Sequence, residues 1–192
     1  MGTLTVTEFI SVDGVIDSPG GEPGYAHAGW TFDLEPDPAM YGAVSEAYEG
    51  VTGLVLGRRT YDGFAAAWPQ RENSGDEDAG FAVQLGDLPK YVVSRTLTEP
   101  SWRNTTVLSS VDDVAALRAG TDRLLVAGSG ALVGDLHKAG LVDRWHLLVF
   151  PVVLGSGKRL FPTDAVDKQK LTLTDHRTYA NGVQLQVLDA VR

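Results

Sequence analysis

Apolar and polar positions along the chain alternate between two periods, and most short apolar runs are followed by helical spacing. Leu4-Thr5-Val6-Thr7 opens a strand running to about Ile10, and its early start predicts a strand buried in the sheet. Residues 17–36 (DSPGGEPGYAHAGWTFDLEP) are rich in Gly and Pro and predict a long loop, a kind of segment that often serves function. Asp37-Pro38 is a helix N-cap with proline at the first helical position, and Met40, Val44, Ala47, Tyr48 and Val51 follow at helical spacing. Residues 53–57 (GLVLG) predict a short buried strand. Thr60 is then expected to cap a helix with Tyr61, Phe64, Ala65 and Trp68 on its apolar face, stopped by Pro69. The acidic stretch 70–87 predicts an exposed, mobile loop.

The second half repeats the alternation and then changes it. Strands are expected at 90–93 and 105–108, and Ser110 with Asp113 forms a capping box that opens a helix ending near Gly120. An apolar strand at 123–127 meets the turn Gly128-Ser129-Gly130, and a helix carrying Leu132, Val133 and Leu136 follows. Beyond it, residues 145–153 predict a strand and 155–162 (GSGKRLFP) a turn. Two alternating stretches, 171–179 and 183–191, are joined by Asn181-Gly182, a strong hairpin signal. The pattern describes a βαβα body closed by an antiparallel section, with no internal repeat and no linker.

Composition narrows the function classes. The 192 residues suffice for one domain spanning 1–192, and 43% hydrophobic with 21% charged residues is ordinary globular usage. There is no cysteine, which excludes disulfides, thiol catalysis and cysteine-ligated metal. The net charge of −9 argues against nucleic-acid binding, which needs a basic face. The first residues do not resemble a signal peptide, and no apolar stretch reaches the ~18 residues of a membrane span, so a cytoplasmic location without membrane contact is expected. His27, His137, His146 and His176 are scattered without ligand spacing, and no metal is expected.

Three strand ends share a chemistry. Gly128-Ser129-Gly130 precedes a helix, whose free N–H groups suit a phosphate, although a tight turn without a ligand reads equally well from these residues alone. Gly57-Arg58-Arg59-Thr60 adds two arginines and a hydroxyl, and Ser94-Arg95 adds one of each. Ligands of open α/β sheets bind outside the carboxyl ends of the strands, so the repetition points to one extended anionic ligand. It is not the Rossmann fingerprint. The spacing Gly128, Gly130, Gly134 is one residue too long, and too few βα units follow.

In series, SVDGVI (11–16), GRRTYDGF (57–64), VVSRT (92–96), AGSGALVGDL (127–136) and PVVLGSGKRLFP (151–162) resemble the dihydrofolate reductase-like superfamily. The closest branch contains the reductase domain of riboflavin biosynthesis, the C-terminal part of a bifunctional deaminase–reductase, and its stand-alone relatives. The resemblance covers nearly the whole chain. It implies an α/β fold with a mixed, mostly parallel sheet flanked by helices and an antiparallel C-terminal hairpin. It implies an oxidoreductase that uses NADPH. In that reading Gly57, Arg58, Arg59 and Thr60 hold the diphosphate and adenosine phosphate, and Ser94 and Arg95 the 2′-phosphate. Gly128, Ser129, Gly130, Ala131 and Leu132 wrap the diphosphate and nicotinamide ribose, with Phe9, Val15 and Ile16 near the nicotinamide. The three arginines favour NADPH over NADH. Relatives commonly form homodimers, and the apolar 145–153 strand is the expected contact.

Departures from the family pattern bear on the substrate. Dihydrofolate reductases carry a carboxylate in the first helix, where this chain has Tyr41, which argues against dihydrofolate. Riboflavin-pathway reductases carry Ser-x-Asp-Gly-Lys, where this chain keeps Ser11, Asp13 and Gly14 but has Val15. Residues 1–40 contain no Lys or Arg, which disfavours a 5-amino-6-(5-phosphoribosylamino)uracil-like substrate but leaves it open. Asp13 is the expected group to orient or protonate a substrate, or else an Asp-Gly turn residue. Ser11, Trp30, Tyr41, Phe64 and Trp68 are candidates to line a pocket for a small, flat heterocycle or sugar-derived molecule, although aromatics at helical spacing also build cores. The thin set of catalytic groups keeps an alternative open, a nucleotide-binding protein without turnover.

Overall fold

The computed structural model describes residues 2–76, 78–120, 122–161 and 168–191. Eight strands form one sheet: β1 (Thr3–Ser11), β2 (Gly53–Gly57), β3 (Lys90–Val93), β4 (Thr105–Leu108), β5 (Arg123–Ala127), β6 (Arg144–Phe150), β7 (Leu171–Thr178) and β8 (Gln184–Ala190). Their order is β4-β3-β2-β5-β1-β6-β8-β7. The pairings from β4 to β6 are parallel, and β6–β8 and β8–β7 are antiparallel. The fold is therefore the mixed, mostly parallel sheet with an antiparallel C-terminal hairpin.

Five helices cover the sheet: α1 (Pro38–Glu46), α2 (Arg58–Arg71), α3 (Ala79–Asp87), α4 (Val111–Arg118) and α5 (Gly130–Lys138). Strands buried on both faces explain the near-continuous apolar runs. On one face Leu4, Val6, Val55 and Val126 pack under α4 and α5 through Val114, Leu132 and Leu136. On the other, Leu54, Leu56 and Leu125 meet Tyr48, Tyr61 and Leu85, while Trp30, Met40, Phe150 and Leu185 form a third group beside them. Local signals act as expected at several ends. The Asp37 carboxylate accepts from the Ala39 and Met40 N–H groups, and Ser110 with Asp113 completes a capping box. Gly182 has φ +86° in the β7–β8 turn.

Three expectations need correction. Thr60 is not a cap: α2 starts at Arg58 with Gly57 at the N-cap, so Thr60 lies in the first turn. Pro69 lies inside the end of α2 and does not stop it; it removes one i→i−4 donor, and the helix runs only two residues further, to Arg71. The 70–87 stretch is not simply a loop, since α3 buries Ala82 and Leu85. Within the 145–153 stretch expected at a dimer contact, β6 is paired on both sides, to β1 and β8, and Trp145 is fully buried, whereas Val153 is 71% exposed. Pro162, the last residue of the expected 155–162 turn, lies outside the described residues. No helix among the described residues is long and apolar enough to cross a membrane.

Candidate functional site

Adjacent strands β5 and β1 send their connections in opposite directions. From β1 the chain passes through α1 to β2, and from β5 it passes through α5 to β6. This reversal opens a crevice at the carboxyl ends, the usual binding place in open α/β sheets. Register brings the motifs to one line there. Gly57 pairs with Val93, Val55 with Val126, and Thr7 with Ala127, so the Gly57, Ser94 and Gly128 segments leave the sheet at one level.

The two glycine turns touch. The Gly57 N–H donates to Ser129 Oγ at 2.7 Å. Gly128 (φ +71°) lies against Thr60, whose side chain would stand 3.4 Å from an added Cβ. Ser129 itself adopts φ +75° and leaves α5 without a side-chain cap. Helix α2 also lacks one, so two helix starts present unpaired N–H groups at the same crevice. Ile16 closes one side. Its Cδ1 would be 2.5 Å from a Cβ at Gly130, so a larger residue there would have to push the end of the Ile16 side chain aside.

The cations are partly committed. Arg58 Nε donates to both Asp62 carboxylate oxygens, at 2.8 and 2.9 Å. Arg59 and Arg95 are exposed and have no acidic partner among the described residues. Ser94 Oγ accepts from the Thr96 and Leu97 N–H groups, at 3.2 and 3.1 Å, and lies 3.5 Å from Thr96 Oγ1.

At the β1 end the Ser-x-Asp-Gly segment is a clamp. The Ser11 hydroxyl donates to Asp13 at 2.7 Å and accepts from the Val15 N–H at 2.9 Å. The Asp13 carboxylate also accepts from the N–H groups of Leu154 (3.1 Å) and Gly155 (2.9 Å). These bonds, led by the Ser11 hydroxyl, hold its pKa down to about 2. Asp13 is thus an ionised turn residue and not a proton donor at neutral pH, and Ser11, 1% exposed, faces the turn and not an open pocket.

The aromatic candidates do not converge. Trp30 is buried against Phe150 (5.2 Å), which also stacks edge-on with Phe9 (5.4 Å), and its Nε1–H donates to the Asp17 carbonyl. Phe64 and Trp68 face α3, with Trp68 5.3 Å from Phe81, while Tyr41 is exposed on α1. Of the two roles open to Phe64 and Trp68, the core role is the one the packing gives, beside a helix where the acidic 70–87 stretch predicts a loop.

A family model for the RibD C-terminal domain matches residues 2–185. The chain belongs to the RibD C-terminal domain family. That family is associated with reductase activity and typically binds NADPH. YyaP of Bacillus subtilis (strain 168), an uncharacterized protein, is 28% identical over 178 residues, covering 91% of this chain and 87% of its own. YwjB of the same organism, also uncharacterized, is 26% identical over 184 residues, with 94% of each chain covered. The fold is shared with a crystal structure from Shewanella sp. PV-4 of a protein named for riboflavin biosynthesis, at TM-score 0.73 and 20% identity over 99% of both chains.

At Val15 the fold brings in cations from far along the sequence. Val15 pairs with Arg159 in an antiparallel bridge. Arg159 donates to the Asp13 carbonyl and lies 3.6 Å from its carboxylate, and Lys158 pairs with Asp17 at 3.1 Å. The lack of basic residues in 1–40 therefore does not leave the region without cations. Beside the clamp, Trp30, His27, Asp33 and Val152 to Leu154 line a cleft of about 400 Å³. Sequence reasoning missed His27 and Asp33 in that cleft, and it also missed Glu8. The only available signal for Glu8 was an acid between Val6 and Ile10 in an otherwise inward-facing row.

Proposed function

We propose that the chain is an NADPH-dependent reductase that transfers hydride to a conjugated C=N or C=O of a small, flat or sugar-derived substrate. One observation carries this reading: three strand ends bearing glycine, hydroxyl and arginine meet at one crevice, two of them joined by the Gly57–Ser129 bond. The residues fit a phosphorylated dinucleotide. Gly57, Thr60 and the α5 start, from Gly128 to Leu132, would hold the diphosphate through N–H groups and a hydroxyl. Arg59 and Arg95, free of acidic partners among the described residues, and Ser94 would hold the 2′-phosphate, with Arg58 available at the cost of its Asp62 pair. The cofactor supplies the hydride when bound. The chain's own work is to align the reacting atoms and exclude water, with the 17–36 loop as cover. With Asp13 ionised, the accompanying proton comes from water.

Titration with NADPH and NADH, followed by thermal shift and calorimetry, tests this reading. NADPH should raise the melting temperature more than NADH at equal concentration, and Arg95→Ala should abolish the preference. No response to either nucleotide would sink it. One observation favours a second reading, binding without turnover: the only acid expected to protonate a substrate is locked in a turn. NADPH binding without oxidation across a carbonyl, imine and pterin panel would support that reading.

A further inference from the structure

Glu8 lies in the middle of β1 with 5% of its surface exposed, and its Oε1 has no hydrogen-bond partner. It is the only acid among the described residues with a carboxyl oxygen both fully buried and unpartnered. Burial pushes its pKa up to about 8. Such a group costs stability unless something pairs with it.

Its position says what could. Glu8 pairs with Leu147 on one side. On the other, the register Thr7↔Ala127 puts the next residue of β5's chain, Gly128, beside it. By the same count Gly57 follows in the next strand. Side-chain alternation points Glu8 to the face that carries Val6, Val126 and Leu147, the face covered by α5. On that side the row continues with Gly128 and Gly57, which have no side chain, and Ser129 and Leu132 at the uncapped start of α5 come close over Gly57, so the orphaned carboxyl lies beside that helix start at the reversal point. Thr7, one residue earlier, faces the opposite side and is paired with His146 at 3.2 Å.

We propose that Glu8 contacts the bound dinucleotide through a hydrogen bond with a hydroxyl or amide of its nicotinamide riboside half. This rests on the reading of the crevice as a dinucleotide site. The half follows from geometry and charge. The arginines that suit the 2′-phosphate leave β2 and β3, and β1 lies three strand spacings from β3, about 14 Å. A carboxyl offers nothing favourable to a diphosphate, whereas hydroxyl and amide groups complement it in either protonation state.

Calorimetric titration of wild type, Glu8→Leu and Glu8→Gln with NADPH and with 2′,5′-ADP, together with melting curves of each free protein, tests the assignment. The nucleotide fragment reaches only the arginine end. Glu8→Leu should raise the melting temperature of the free protein, weaken NADPH about tenfold or more, and leave 2′,5′-ADP unchanged. Glu8→Gln, which keeps a donor and an acceptor, should hold NADPH more tightly than Glu8→Leu. Unchanged NADPH affinity in Glu8→Leu overturns the proposal, as does an equal loss for both ligands. So does a Glu8→Leu protein that melts lower or fails to fold, since the carboxyl would then be structural. Wild-type protein that binds neither ligand overturns the dinucleotide reading itself.

Discussion

The Asp13 carboxylate receives the Ser11 hydroxyl and two backbone N–H groups from Leu154 and Gly155, so one side chain ties the end of β1 to the segment after β6. Its folded pKa of about 2 lies below the ordinary 3.8. A depressed carboxylate pKa contributes stability that is fully present above the unfolded value and is lost as pH falls through the folded one. For Asp13 that window runs from about pH 4 down to about pH 2. Asp13→Asn should therefore melt below wild type at pH 7, and the gap should narrow as pH falls through this window. Thermal melts at pH 7 and at the acid end check it, and equal melting at pH 7 would remove the clamp role. Glu8 is the opposite case, a carboxyl that gains no protein partner and sits where a ligand can supply one.

Among the elements, α3 is the informative one. Acidic residues before it and glycines at 80 and 86 mask a short apolar face made by Phe81, Ala82 and Leu85. Propensity favours a loop there, and packing against Trp68 and Tyr48 overrides it. Lys90, fully buried in β3, then finishes the helix. Its ammonium donates to the Leu85, Gly86 and Leu88 carbonyls at 2.8, 2.9 and 2.8 Å and lies 4.2 Å over the Trp102 ring. Burial nonetheless lowers its pKa to about 8. Lys90→Met keeps the stem and loses the three bonds, leaving the Leu85 and Leu88 carbonyls without that donor while Gly86 keeps Asn104 Nδ2. Urea unfolding should show a loss of about 2–3 kcal/mol. A loss below about 0.5 kcal/mol would mean that other groups satisfy those carbonyls.

At the scale of the molecule, the sheet leaves two edges, β4 and β7, with β6 inside it. The sheet's amino-terminal side is closed by one acid. Asp143, just before β6, accepts from the Leu4 N–H at 2.8 Å and from Arg118 Nε at 2.9 Å, linking β1, α4 and β6. The Arg118 side chain is 6% exposed and that of Asp143 22%. Arg118→Leu removes the paired cation and leaves the carboxylate poorly compensated. The expected cost is about 2 kcal/mol, reduced from the fully buried case by the exposure of Asp143. A lower urea midpoint with unchanged slope checks it. An unchanged midpoint would place the pair among surface bridges of little worth.

Local physics made much of this protein legible without coordinates. All eight strands, α1, α4 and α5, and the Asn181-Gly182 hairpin follow from period, caps and turn residues, because each signal lies within a few residues of what it specifies. The glycine, hydroxyl and arginine residues at three strand ends were legible for the same reason. Three matters were decided only by tertiary structure, since each depends on partners distant in sequence. The 72-residue separation of Gly57 and Ser129 hides the contact that joins two weak motifs into one crevice. Arg159 reaches Asp13 across 146 positions, so a region without nearby cations has one. Whether an acid is a proton donor, a turn clamp or an orphan depends on what packs around it. That is why Asp13 drew notice and Glu8 did not: alternation records which side of a strand a residue faces, and only packing records what waits there.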